Sequence, residues 1–170
     1  MFSVVNVFKK GGTMRGKDKV IAHLNDALRS ELESISQYFL HAEMCENWGY
    51  HKLAKFIKKQ SIDEMKHAEK IIERILFLDG TPNLGVGLAL KIGANVKQQI
   101  DNDLAFEMAA FEQYNKSVLV CREEGDNTSS ELFRELLGDE EKHIDFLEAQ
   151  INIIKEAGLE NYLIEQTHGD

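Results

Sequence analysis

A chain of 170 residues has room for one domain and enough length to bury a full core without cross-links. With 43% hydrophobic and 29% charged residues it has the composition of a globular protein, and no apolar run is long enough to span a bilayer, so membrane partners are not expected. A formal net charge of −9 repels phosphate backbones and attracts cations, which excludes nucleic acid as an expected partner; Cys45 and Cys121 form no C-x-x-C pair and support neither a zinc ribbon nor a disulfide scaffold.

Residues 1–16 stand apart. Met1 to Phe8 place a short apolar stretch ahead of Lys9 and Lys10, the reverse of a secretory signal, so export is not expected and the location is read as cytoplasmic. Met14 would serve as a start by itself, which makes the first thirteen residues a mis-called start or a disordered tail. The remainder, residues 17–170, contains only Pro82 to interrupt helix, and its glycines act as punctuation.

From Asp18, the residues Leu24, Leu28, Glu31, Ile35, Tyr38, Ala42 and Cys45 draw one stripe along a first helix that ends at Asn47-Trp48-Gly49. Leu53, Ile57, Gln60, Glu64, His67, Ile71, Arg74 and Leu78 mark a second, which stops at Asp79-Gly80-Thr81-Pro82. Residues 79–95 are glycine-rich and poorly periodic. Seventeen extended residues reach about 56 Å and a 30-residue helix is about 45 Å long, so this segment can run the length of a bundle. A third helix carries Ile100, Leu104, Glu107, Phe111, Tyr114, Val118 and Cys121 to Gly125, and a fourth carries Phe133, Leu136, Glu140, His143, Leu147 and Ile154 to Gly158. Leu159 to about Gln166 forms a short fifth. Tight turns at Gly49 and Gly125 with one long middle connection describe an all-α, ferritin-like four-helix bundle with a crossover between helices two and three.

Glu31, Glu64, Glu107 and Glu140 all fall where core side chains belong, and a buried carboxylate must be neutralised, paired or bound to metal. Glu64 follows Glu31 by 33 residues and Glu140 follows Glu107 by 33; His67 and His143 each follow at the third position, on the same helix face as their glutamates. Each hairpin thus sets a Glu opposite a Glu-x-x-His. The halves repeat further at an offset of 76, in Tyr38 and Tyr114, Cys45 and Cys121, and the turn glycines. Six His and 19 Glu in 170 residues give about 0.7 Glu-x-x-His matches by chance, so Glu165-x-x-His168, with Leu132 in the place of the upstream Glu, counts as a decoy. Four carboxylates and two neutral imidazoles balance two divalent ions, and this mixed ligand set suits iron or manganese.

From Met14 to about Leu163 the chain resembles the bacterioferritins, through Glu31-x5-Gln-Tyr-Phe-Leu-His41, Ser61-Ile-Asp-Glu-Met-Lys-His-Ala68, Glu73 to Leu78, Pro82-Asn-Leu84, Asp139-Glu-Glu-x-His-Ile-Asp145 and Asn161-Tyr-Leu163. The resemblance implies a hollow homo-oligomeric shell of 24 subunits that oxidises Fe²⁺ with O₂ or H₂O₂ and stores ferric mineral, with a ferredoxin releasing the iron. It implies a di-iron centre of two irons per subunit: Glu31 and His67 on one ion, Glu107 and His143 on the other, Glu64 and Glu140 bridging. It also implies haem b shared across a subunit dimer, with Met65 as an axial ligand and Leu32, Ile35 and Phe39 as apolar walls. By spacing alone Met65 points away from the ion pair and is a subunit-contact filler.

Tyr38, on the face of Glu31, has two readings: an electron donor to the oxidised centre, or a phenol bonded to a ligand carboxylate. Tyr114 at the mirror position is read as packing, Cys45 and Cys121 as small buried residues, Trp48 as structural, and Gly138 as a point of close packing or a local bulge. Lys59 stands where some bacterioferritins carry a cavity-side histidine, which puts an auxiliary iron site with Asp63 in doubt. A rubrerythrin-like di-iron peroxidase or oxygenase without storage is the alternative function; an idle, structural haem-carrying shell subunit is a third.

Overall fold

The computed structural model describes residues 15–168, and the expectations for residues 1–14 lie outside them. Four long helices, α1 (Asp18–Asn47), α2 (His51–Phe77), α3 (Val96–Glu123) and α4 (Asn127–Ala157), are followed by the short α5 (Leu159–Gln166). The long helices end where the glycines predict. Gly49 and Gly125 close the two hairpins with φ of 85° and 78°, a left-handed conformation that costs glycine nothing. Asn95 and Asp126 cap α3 and α4 by accepting from the amides of Gln98 and Ser129.

α1 packs along α2 and α3 along α4, and the hairpins meet chiefly through α1 and α3. Contacts between these two run in opposite directions along the helices, Glu31 with Tyr114, Tyr38 with Glu107, His41 with Asp103 and Cys45 with Gln99, so α1 and α3 are antiparallel. One apolar cluster fills the end around Leu24, Leu28, Ile71, Ile75, Phe133 and Leu136; a second fills the other end around Leu53, Ile57, Ile100, Leu147 and Tyr162. The polar layer between them is where the four glutamates lie.

The crossover lies along one stripe of α1 taken every fourth residue. Asn25 accepts from the amide of Asn83 at 2.8 Å, Arg29 donates to the carbonyl of Gly87, Glu33 accepts from Ala89, Gln37 from Lys91, and His41 from Gly93. Backbone that has no ladder of its own is thereby satisfied by side chains of α1. The amide of Gly93 donates to Nε2 of His41, which leaves the ring proton on Nδ1, facing Asp103.

One sequence expectation is corrected and another qualified. α4 runs unbroken through Gly138, where an added Cβ would meet nothing within 4 Å, so neither a bulge nor close packing accounts for it. Arg74 keeps its place on the stripe with a side chain only 11% exposed, but it ends in polar contacts, its guanidinium donating to Asp126 at 2.7 Å and to Ser129 at 2.8 Å, while Ile75 beside it fills the apolar core.

Candidate metal centre

Each long helix delivers one glutamate to the central layer: Glu31 from α1, Glu64 from α2, Glu107 from α3 and Glu140 from α4. His67 and His143, one turn on from Glu64 and Glu140, arrive beside them, and all six side chains are buried. They form two overlapping groups, Glu31, Glu64, His67 and Glu140, and Glu64, Glu107, Glu140 and His143; within each, one ligand atom per residue lies within 4.8 Å of the others. Glu64 and Glu140 belong to both.

Both imidazoles turn Nδ1 towards the acids. His67 Nδ1 is 2.9 Å from Glu64 and 3.7 Å from Glu31, and His143 Nδ1 is 2.8 Å from Glu64 and 3.5 Å from Glu107. Yet Glu64 Oε1, Glu140 Oε2 and His143 Nδ1 are buried without a hydrogen-bond partner: the 2.8 Å approach of His143 to Glu64 is close but misaligned. Unpaired polar atoms in the interior are costly, and two of these three sit on Glu64 and Glu140, the residues common to both groups. Two divalent cations would satisfy them, so the donor set fits a di-metal centre.

Without cations, protons have to balance the charge. Burial, reinforced by the Glu64 charge, pushes the Glu31 carboxyl up to about 8. Burial lifts Glu140 to about 10, against the hydrogen bond from His143 and with the charge of Glu107 adding to it. Burial would also raise Glu64, but the imidazoles of His143 and His67 outweigh it and hold this group well below the carboxylate range. Burial opposes charge on His67, but Glu31 and Glu64 prevail and raise it to about 11; His143 is raised in the same way by Glu107, Glu140 and Glu64.

Two tyrosines complete the layer. Tyr38 donates its phenolic proton to Glu107 and Tyr114 donates to Glu31, each crossing from its own hairpin to the other. Tyr38 is therefore bonded to a cage carboxylate, though not to the one on its own helix, and Tyr114 is not mere packing. Sequence reasoning also passed over Asp139, whose Oδ2 lies 3.3 Å from His67 Nε2, and Ser34, whose buried hydroxyl lines a small void beneath the acids. On the side of the imidazoles a cleft of about 560 Å³ opens between α2 and α4, lined by Asp63, Lys66, His67, Asp139, Lys142 and His143. A larger groove of about 900 Å³ between α2, α4 and α5 contains none of the six cage residues.

Elsewhere the expected residues fall as follows. Met65 is 55% exposed on the outer face of α2, beside Ile62 at 48%, with Phe39 of α1 also exposed at 53% and Leu32 and Ile35 half-buried against the core. Lys59 and Lys66 each hold one oxygen of Asp63 at 2.7 Å. Cys45 and Cys121 are buried free thiols, lifted by burial to about 12 and about 11. Glu165 and His168 are exposed at the C-terminal end, and Trp48 is partly exposed at the first turn.

Residues 21–157 match the family model described as a ferritin-like domain. Known bacterioferritins are similar over nearly their whole length: that of Brucella melitensis is 48% identical over 149 residues, 88% of this chain and 92% of the relative. That of Mycolicibacterium paratuberculosis is 44% identical over 149 residues, covering 88% and 94%, and that of Rhodobacter capsulatus 46% identical over 151 residues, covering 89% and 94%. The chain belongs to the bacterioferritin family. The stretch that matches the family model holds most of the four long helices and all six cage residues, and this bacterioferritin-family bundle lacks, among its described residues, any helix long and apolar enough to cross a membrane.

Proposed function

We propose that the protein takes up Fe²⁺ into the buried cage, where it is oxidised by O₂ or H₂O₂, and stores the ferric product inside a shell of 24 copies. Iron storage with ferroxidase activity and assembly into an oligomeric shell are the properties of its family, and the carboxylate–imidazole cluster fits a di-iron site. The observation that carries the reading is the pair of overlapping groups with orphaned atoms on their shared members.

In this reading Glu31 and His67 hold one iron, Glu107 and His143 the other, and Glu64 and Glu140 lie between them. The iron itself supplies the electrons. The chain fixes the spacing of its ligands on four rigid helices, excludes bulk water with apolar layers above and below, and gives up the protons that neutralise the empty cage. Tyr38 buttresses Glu107 through its hydroxyl and stands as an electron donor to the oxidised centre. The thioether of Met65, exposed like the apolar side chains of Ile62 and Phe39, fits an axial ligand to a haem b shared by two subunits; thioether ligation favours the reduced iron and electron transfer. A cytoplasmic location, release of stored iron by a ferredoxin, and residues 17–170 as the functional domain belong to the same reading.

The test is the capacity for iron. Purified protein should elute as a very large particle and oxidise Fe²⁺ far beyond two per subunit, retaining the product in the particle. A small oligomer that stops at two irons and turns over H₂O₂ would establish the rubrerythrin-like peroxidase instead.

A further inference from the structure

The phenols of Tyr38 and Tyr114 obey the same internal symmetry as the cage residues. Each lies seven residues after a cage glutamate, Glu31 or Glu107, and each reaches across to the glutamate of the opposite hairpin. Both are buried. The other two tyrosines lie elsewhere: Tyr162 donates to Gln150 at 3.1 Å, and Tyr50 stands just before the start of α2. Cys45 and Cys121 sit fourteen residues beyond the cage, about 21 Å along their helices.

Full reduction of O₂ to water takes four electrons, and two Fe²⁺ yield two. On the di-iron reading above, the nearest oxidisable groups are these two phenols, each already hydrogen-bonded to a group that can take its proton. We propose that Tyr114, and not Tyr38 alone, is a redox partner of the centre, each phenol giving one electron to complete the reduction of O₂ and passing its proton to the carboxylate it touches. The balance closes: two Fe²⁺, two phenols whose protons pass on to oxygen through Glu31 and Glu107, and two protons from solvent convert one O₂ into two waters, leaving two Fe³⁺ and two tyrosyl radicals that further Fe²⁺ reduces. The crossed bonds give one donor to each half of the cage, Tyr38 at Glu107 and Tyr114 at Glu31.

A phenol that only steadied Glu31 would show the same hydrogen bond, so the test reads the radical. Protein given two Fe²⁺ per subunit under argon is mixed with O₂ and frozen within milliseconds for electron paramagnetic resonance, in the unmodified form and as Y38F, Y114F and Y38F/Y114F. Ring-deuterated tyrosine assigns the signal. The expected result is a tyrosyl signal that is halved in each single variant and lost in the double one, in which two irons alone reduce O₂ only as far as H₂O₂. A Y38F protein that oxidises iron without any tyrosyl signal overturns the proposal, as does a full signal in Y114F. The Y38F arm leaves Tyr114 untouched, so the result does not depend on how Y114F folds. Failure of the unmodified protein to oxidise two irons would sink the di-iron reading and this inference together; oxidised iron with a radical confined to Tyr38 would sink this inference alone.

Discussion

Oδ2 of Asp139 lies 3.3 Å from Nε2 of His67, whereas every polar contact of His143 among the described residues runs through Nδ1 to Glu64, Glu107 and Glu140. The two imidazoles are equivalents in the internal repeat, yet only one is tethered from behind. A carboxylate at the outer nitrogen fixes the tautomer and turns the lone pair of Nδ1 inward. Asp139→Asn is expected to weaken the binding of one of two Co²⁺ ions about 10-fold and leave the other nearly unchanged. Titration followed by the visible Co²⁺ spectrum checks this, and two unaltered affinities would remove the role.

Filling the cage requires it to shed protons. Glu31, raised to about 8, and Glu140, raised to about 10, are neutral at pH 7, while His67, raised to about 11, and His143 carry charge. All four must deprotonate to bind cations, so about four protons leave per pair of ions and affinity climbs as pH rises from 6 to 8. Calorimetry with Co²⁺ at pH 7 in buffers of different ionisation heat counts these protons. Heats independent of the buffer would contradict the proton-filled cage.

The glutamate spacing, the Glu-x-x-His pairs and the hairpin glycines are written in short-range pattern, so the bundle and its six cage residues are legible from the chain alone. The partner of Tyr38 is not. Whether it meets Glu31 or Glu107 depends on how α1 is rotated against α3, and a stripe shared by both helices is compatible with either. Asp139 is invisible for a related reason: it lies off the buried stripe of α4, and its contact with His67 of α2 depends on how those two helices face each other. Arg74 keeps the period of the core yet ends in polar contacts, because the first turn of α4 offers its guanidinium a carboxylate and a hydroxyl. The side-chain ladder that binds the crossover escapes periodicity altogether, since a strand of irregular backbone leaves no repeat to detect.

Met65 and the cage sit on different faces of α2, one exposed and the other buried. Met65→Leu keeps the volume and removes the sulfur. Haem absorption should be lost or move away from that of bis-thioether ligation, while two Co²⁺ still bind per subunit. An unchanged haem spectrum in this variant would exclude Met65 as the axial ligand.

Gly93 is held where a side chain cannot go: an added Cβ would lie 2.3 Å from the backbone nitrogen of Gln99. Gly93→Ala must therefore move the end of the crossover off α3 and break its bond to His41, at an expected cost of about 1–3 kcal/mol. Chemical denaturation measures the loss, and faster hydrogen exchange at the amides of Ala89 and Lys91 locates it. A stability equal to that of the unmodified protein would show that α3 yields freely at this point.

Two hairpins so alike could in principle be traded between neighbouring chains, each molecule lending its second half to another's ions. Pinning the connecting strap to Asn25, Arg29, Glu33, Gln37 and His41 of its own first helix works against that exchange, because a swapped partner would have to forfeit every one of those bonds. Each subunit is thereby made self-sufficient for chemistry before it meets any other.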